Sequence, residues 1–228
     1  MGKSVTIGSP PIDITLRRSA RARRYSLRIS NADGLVSLTM PSRASEHAAV
    51  DFARRQEDWL RNALAKRPAS IEPAFGATIP FRGRPTLLCQ GTARAARLEA
   101  DRLYLSGPPD RVAARLKGFL RVHARTALAE ASMRYAAKLG REVGQISLRD
   151  TSSRWGSCTE SGNLMYSWRL IMAPPAVLEY VAAHEVAHLV EMNHSADFWQ
   201  VVAGLMPEYA KYRNWLRQNG ASLHQVRL

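Results

Sequence analysis

The chain has 228 residues, is 46% hydrophobic and carries a formal net charge of +14, so it can bury the core of one large domain or two small ones and is too apolar for wholesale disorder. No apolar run nears the roughly 18 residues of a membrane span, and the start "MGKSVTIGSPPIDITLRR" lacks the apolar stretch of a signal peptide. The two cysteines, Cys89 and Cys158, are too far apart for a CxxC clamp and too few for a disulfide framework, which points to a cytoplasmic protein with free thiols and no membrane partner.

In chain order, the first 40 residues read as strands. "IDITLRRS" alternates Ile12, Ile14 and Leu16 with polar residues, and "YSLRIS" and "LVSLTM" flank the turn signal "NADG" as a hairpin. Val50, Phe52, Ala53, Trp59, Leu60 and Leu64 predict one helix from about 43 to 66, ended by Pro68. Residues 70–107 read as short strands punctuated by Gly76, Gly83, Gly91 and Gly107. A long helix of about 28 residues follows between the start signal Pro109-Asp110 and the stop at Gly140, its apolar face running from Val112 through Leu116, Leu120, Leu128, Ala131 and Tyr135 to Leu139. The change from strand to helix places a domain boundary near residue 108, and no internal repeat is apparent. "QISLRDTSSRWGSCT" and "GNLMYSWRLIMA" read as two strands joined at "TESG". Pro174 and Pro175 open the helix "AVLEYVAAHEVAHLVE", Ser195 N-caps "ADFWQVVAGLM", and a last helix runs from Pro207 to Gly220.

The charge is unevenly placed. Residues 1–150 hold 27 Lys and Arg against 13 Asp and Glu, whereas residues 151–228 hold six of each. A basic first half suits nucleic acid or another acidic partner. The bland alternative is compositional bias, since 28 of the 33 basic residues are Arg.

"HEVAHLVEMNH", His184 to His194, concentrates three of the six histidines. On a helix His184 and His188 lie about 40° apart, one turn from each other, which lets two imidazoles hold one Zn²⁺. Glu185 shares their sector but is offset from them, the position of a general base beside the ion's water rather than of a ligand. A catalytic zinc site needs a third protein ligand. Glu191 remains on the helix face and is one candidate. His194 is the other and is preferred, provided that the helix breaks near "MNH", where Asn193 tolerates a left-handed conformation. By composition HExxH arises in under about 1% of such chains, so three ordinary core or surface histidines are a poor account of the pattern. His47, His123 and His224 are isolated and are read as surface residues, and Phe198, Trp199 and Met206 as packing.

"SRWGSC" (Ser153–Cys158), "HEVAHL" (His184–Leu189) and "NHSADFW" (Asn193–Trp199), in this order, resemble the YgjP-like metallopeptidases, also called the domain of unknown function 45 family, of the zincin group and related to SprT-like and Wss1-like proteases. The resemblance implies zinc on His184, His188 and His194, with Glu185 as base. It also implies an α+β fold in which a sheet lies over the active-site helix, so that residues 109–228 form a zincin-like peptidase domain after a β-rich domain 1–108 with one helix. It further implies an edge strand that binds extended peptide, by position "SRWGSC", with Arg154, Trp155, Gly156 and Ser157 lining the cleft. "RWGS" reads equally well as a strand end with a packed Trp. Glu191 stands where the metzincin pattern needs Gly. Tyr166, Tyr209 and Tyr212 are candidate oxyanion stabilisers by chemistry only, tyrosines more often being packed against cores, and Cys158 reads as a buried thiol. The expected function is a zinc metallopeptidase acting on peptides or proteins. The alternatives are a nucleic-acid-associated protein, either a zinc-structured module or a protease of DNA-bound proteins, and a hydrolase of non-peptide amides.

Overall fold

A computed structural model describes residues 3–30, 34–65 and 70–228. Residues 31–33 of the expected "NADG" turn and Pro68 lie outside the described residues. The chain is α+β and divides into two compact units, 1–70 and 71–228.

The first unit is a four-stranded sheet with two helices. Strands β1 (Ser4–Ile7), β2 (Ile12–Ser19), β3 (Ser26–Ile29) and β4 (Val36–Pro41) are ordered β1-β2-β4-β3, with β2 and β4 parallel and the outer pairs antiparallel. The alternation in β2 and β4 works as expected: Ile12, Ile14, Leu16, Val36, Leu38 and Met40 all turn inward. The single helix expected over 43–66 is two helices, α1 (Glu46–Arg55) and α2 (Glu57–Ala65), parted at Gln56. The break brings Arg61 of α2 onto the β1–β2 turn, where it donates to the Pro10 carbonyl at 2.7 Å while pairing with Glu57. No Pro or Gly marks the break, because a tertiary contact makes it.

The second unit begins with another four-stranded sheet: β5 (Thr78–Phe81), β6 (Arg84–Gln90), β7 (Arg97–Glu99) and β8 (Arg102–Leu105), ordered β5-β6-β8-β7. Here too the central pair is parallel and the outer pairs are antiparallel. The two sheets are therefore a topological repeat, contrary to the sequence reading. "ARAR" (20–23) follows β2 as "ARAA" (93–96) follows β6. The second copy is shorter between its third and fourth strands, which takes the remaining positions out of register.

Helix α3 (Val112–Lys138) is the predicted long helix, and a 3-10 turn at Pro109–Arg111 leads into it. It closes the second sheet: Ile79, Phe81, Leu88, Leu103 and Leu105 share one apolar cluster with Val112, Leu116 and Leu120. The expected boundary near 108 is thereby corrected to 70/71. A change from strand to helix marks a change of element, and the sheet needs α3 to bury its face.

Strands β9 (Ile146–Arg149), β10 (Gly156–Cys158) and β11 (Leu164–Ser167) form a three-stranded sheet ordered β10-β11-β9. The strand expected to continue through "WRLIMA" stops at Ser167 and becomes a 3-10 helix, Trp168–Met172. All five of its residues are buried, including Arg169. Arg169 forks onto Asp150 at 2.6 and 3.2 Å and donates to the Leu223 and Val226 carbonyls at 3.0 Å each, so the guanidinium clasps the C-terminal segment from inside. Helices α4 (Pro175–Ala187), α5 (Ala196–Leu205) and α6 (Tyr209–Asn219) complete the unit, with β10 packed against α4. No helix among the described residues is long and apolar enough to cross a membrane.

Candidate metal centre and active-site cleft

Helix α4 is mostly apolar; Val177, Val181, Ala182, Ala183, Val186 and Ala187 are all buried, as suits a helix in the middle of a core. Its charged or imidazole side chains are Glu179, which faces out and pairs with Arg134, then His184, Glu185 and, at the C-cap, His188. The helix ends there, earlier than "MNH", and Asn193 is not among the residues with positive φ. The reversal instead uses side-chain bonds. The Nδ1 of His188 lies 2.9 Å from the Glu191 carbonyl, which leaves the His188 Nε2 lone pair free. Asn193 Oδ1 accepts from the Ser195 amide at 2.9 Å, and Ser195 caps α5 by accepting from the Phe198 amide.

This return brings His194 to Nε2–Nε2 distance 3.1 Å from His184. The ligand atoms of His184, His188 and His194 lie within 4.8 Å of one another. Two nitrogens that share a tetrahedral ion at about 2.0–2.1 Å stand about 3.3 Å apart, so the spacing fits a metal ion. Phe198, fully buried, backs all three rings at centroid distances of 4.5 to 4.9 Å. Burial first, then the neighbouring His188, His194 and Arg213, push His184 down to about 3, and burial lowers His188. Both rings are thus held in the neutral form that ligates. Glu191 offers its carbonyl to His188, and its carboxylate is not part of the cluster.

Glu185 is only 5% exposed. Burial pushes its carboxyl up to about 8, against the pull of Arg154. Its space exists because β10 starts with a glycine: a Cβ on Gly156 would stand 2.6 Å from the Glu185 Cγ and 2.7 Å from its Cδ. Gly156→Ala is therefore expected to displace the carboxylate and lower kcat at least about tenfold, with an overpacking cost of about 1–3 kcal/mol and unchanged metal stoichiometry. Steady-state kinetics alongside elemental analysis would show it, and wild-type kcat in the variant would refute the crowding.

Residues 23–219 match the family described as "YgjP-like, metallopeptidase domain". The chain belongs to the YgjP-like metallopeptidase family. It is accordingly a metallopeptidase, a metal-dependent hydrolase of peptide or protein substrates. No curated protein matches the chain. Among solved structures, the metallopeptidase zymogen of Pyrococcus abyssi abylysin is similar over 44% of this chain and 99% of its own, with 16% identity and a TM-score of 0.38. That likeness is too low to carry a conclusion.

In this metallopeptidase a cleft of about 350 Å³ opens over His184 and Glu185. Arg154, Trp155 and Gly156 line one wall. Ser157 is not among the residues that line it. The opposite wall comes from Arg213, Leu216 and Arg217 of α6, and Tyr180 completes the floor. Tyr180 was within reach of the sequence, one turn before His184. The α6 residues were not, because nothing local ties them to α4. The candidate tyrosines sit elsewhere: Tyr166 is buried with its hydroxyl 2.9 Å from Ser132, Tyr209 stacks on Trp199, and Tyr212 donates to Glu208. Cys158 is half-buried, and burial pushes its thiol up to about 11.

Trp155 serves both expected roles, lining the cleft and packing. Its indole meets the His224 ring at 5.2 Å and closes over Gly220. His224, expected at the surface, is 4% exposed. Burial, reinforced by the Arg169 charge, pushes it down to about 4 from the ordinary 6.5. Between those values the unfolded chain binds a proton that the folded chain refuses, so this contribution to stability is complete above pH 6.5 and is lost as pH falls toward 4. It amounts to about 2 kcal/mol by pH 5. Urea titrations at pH 7.5 and pH 5 are expected to show the loss, reduced by that amount in His224→Gln; an equal loss in both proteins would contradict the assignment.

Proposed function

We propose that the protein is a zinc-dependent peptidase in which His184, His188 and His194 hold the ion and Glu185 is the general base. The observation that carries this reading is the 3.1 Å approach of two imidazole nitrogens from different elements, with the buried carboxylate of Glu185 next to His184 in the chain. Three imidazoles suit zinc. When bound, zinc would polarise the scissile carbonyl and make a water molecule acidic enough to lose a proton near neutral pH. Glu185 takes that proton and later returns it to the departing amine, so no covalent intermediate with the chain is needed. A carboxyl with a raised pKa is suited to holding a proton between those two events, and a divalent cation nearby draws it back toward ionisation.

Substrate would lie along β10. Trp155 accepts from the Ser167 amide and Thr159 donates to Asn163, so the alternate residues Gly156 and Cys158 direct their backbone groups to the free edge. An extended peptide adding there is held by main-chain bonds across the mouth of the cleft.

The test is metal analysis of protein purified without added metal, followed by hydrolysis of an unstructured protein before and after chelation. About one zinc per chain is expected, with activity lost on chelation and restored by zinc. A chain that takes up no zinc, or one whose hydrolysis survives full removal of metal, defeats the reading.

A further inference from the structure

The cleft wall opposite β10 carries more positive charge than holding the fold requires. We propose that Arg154, Arg213 and Arg217 form a carboxylate subsite, so that preferred substrates carry an anionic group, an acidic side chain or a free C-terminus, close to the bond that is cut. The inference rests on the peptidase reading above and names the substrate class for that same cleft.

Arginines that hold this unit together are matched. Arg169 is buried against Asp150, Arg134 pairs with Glu179, and Arg227 pairs with Glu72. Arg154, Arg213 and Arg217 are exposed, and among the described residues none of the three forms an ion pair. The lining of the cleft contains one carboxyl, that of Glu185, which is buried. Three guanidinium groups thus face a space in which the ion itself would add further positive charge.

They are also held in position. Arg213 lies over the Trp199 ring at 4.4 Å, and Trp199 stacks on Tyr209 at 5.4 Å. Arg217 is one helical turn further along α6, on the same face, and donates to Asn214 Oδ1 at 3.0 Å. Arg154 stands on the strand side, where its carbonyl accepts the Thr151 hydroxyl at 2.8 Å. Arg154 and Arg213 line the same cleft as His184, Glu185 and Tyr180, so both act at its reacting end. A guanidinium fixed by stacking offers its two-pronged edge to a carboxylate at little entropic cost. In a peptide the groups that match are Asp, Glu and the terminal carboxylate.

The test uses the zinc-loaded full chain and a set of fluorescent twelve-residue peptides. One position at a time is Glu, Gln or Lys, and every peptide is made with a free and with an amidated C-terminus. Glu peptides are expected to exceed their Gln counterparts in kcat/KM by roughly 10- to 100-fold at one position. Arg213→Gln or Arg217→Gln is expected to shrink that ratio toward one, and Arg217→Glu to shift preference toward Lys. If only the free terminus matters, the subsite takes the chain end and the enzyme trims C-termini. Equal cleavage of all peptides, or a preference that survives in all three arginine variants, overturns the proposal. Anisotropy of the same peptides on Glu185→Gln protein reads the subsite without turnover. Acid-selective binding there without hydrolysis by the wild type would keep the subsite and defeat the peptidase reading, whereas hydrolysis without acid selectivity does the reverse.

Discussion

Glu185→Gln is expected to bind zinc at the wild-type stoichiometry and to lose about 10²- to 10⁴-fold in kcat, with a much smaller change in KM. The exchange keeps the shape of the side chain, which matters in a pocket where Gly156 leaves no spare room. It removes only the ability to take up and return a proton. A carboxamide cannot act as a base, so the loss falls on the chemical step, and an interaction made only in the transition state lowers kcat and kcat/KM together. Stability is expected to hold or rise slightly, since a buried ionisable group is replaced by a neutral one. Stopped assays with elemental analysis on the same preparations would decide it, and turnover within threefold of wild type would remove Glu185 from the mechanism.

His188→Ala and His194→Ala are expected to lower zinc affinity by more than the ten- to hundredfold typical of losing an outer-shell partner, because each would remove a proposed ligand itself. The readout need not be activity. A ligand that binds only the folded chain stabilises it by about 2.7 kcal/mol at a hundred times its Kd, which for a chain of this size raises Tm by roughly 5–10 °C. Wild-type protein should show that rise on adding zinc, and the two variants should not. Glu191→Gln separates the rival ligand from the chosen one. The Glu191 carbonyl, not its carboxylate, meets His188, so zinc stabilisation is expected to survive that change. If Glu191→Gln abolished the rise and His194→Ala preserved it, the assigned ligand set would be wrong.

The centre was legible because its parts are local. Residues one helical turn apart are neighbours wherever the helix lies, so His184, Glu185 and His188 could be grouped from spacing alone. Ser195 as a cap and the inward alternation of Ile12, Ile14 and Leu16 are readable for the same reason, since each depends on the backbone within a few residues. The way His194 returns was not legible. The expected left-handed Asn193 gives way to a side-chain bond to Ser195 and a carbonyl bond from Glu191, and either solution satisfies the same sequence.

Long-range packing decided the rest. Arg213 and Arg217 reach the cleft only because α6 folds back along α4, and Gly156 becomes indispensable only because Glu185 packs beneath it. His224 is buried by Trp155, some 70 positions earlier in the chain, and no pattern around either residue announces the pair. The repeat of two four-stranded sheets is visible as strand order and almost absent as letters, because a sheet constrains which positions are apolar far more tightly than which residues fill them. The sequence by itself determined the chemistry, three imidazoles and a carboxylate on and just after one helix. The tertiary structure decided the cleft around them, because its walls come from elements that meet only when the apolar faces of α3, α4 and the sheets are buried against one another.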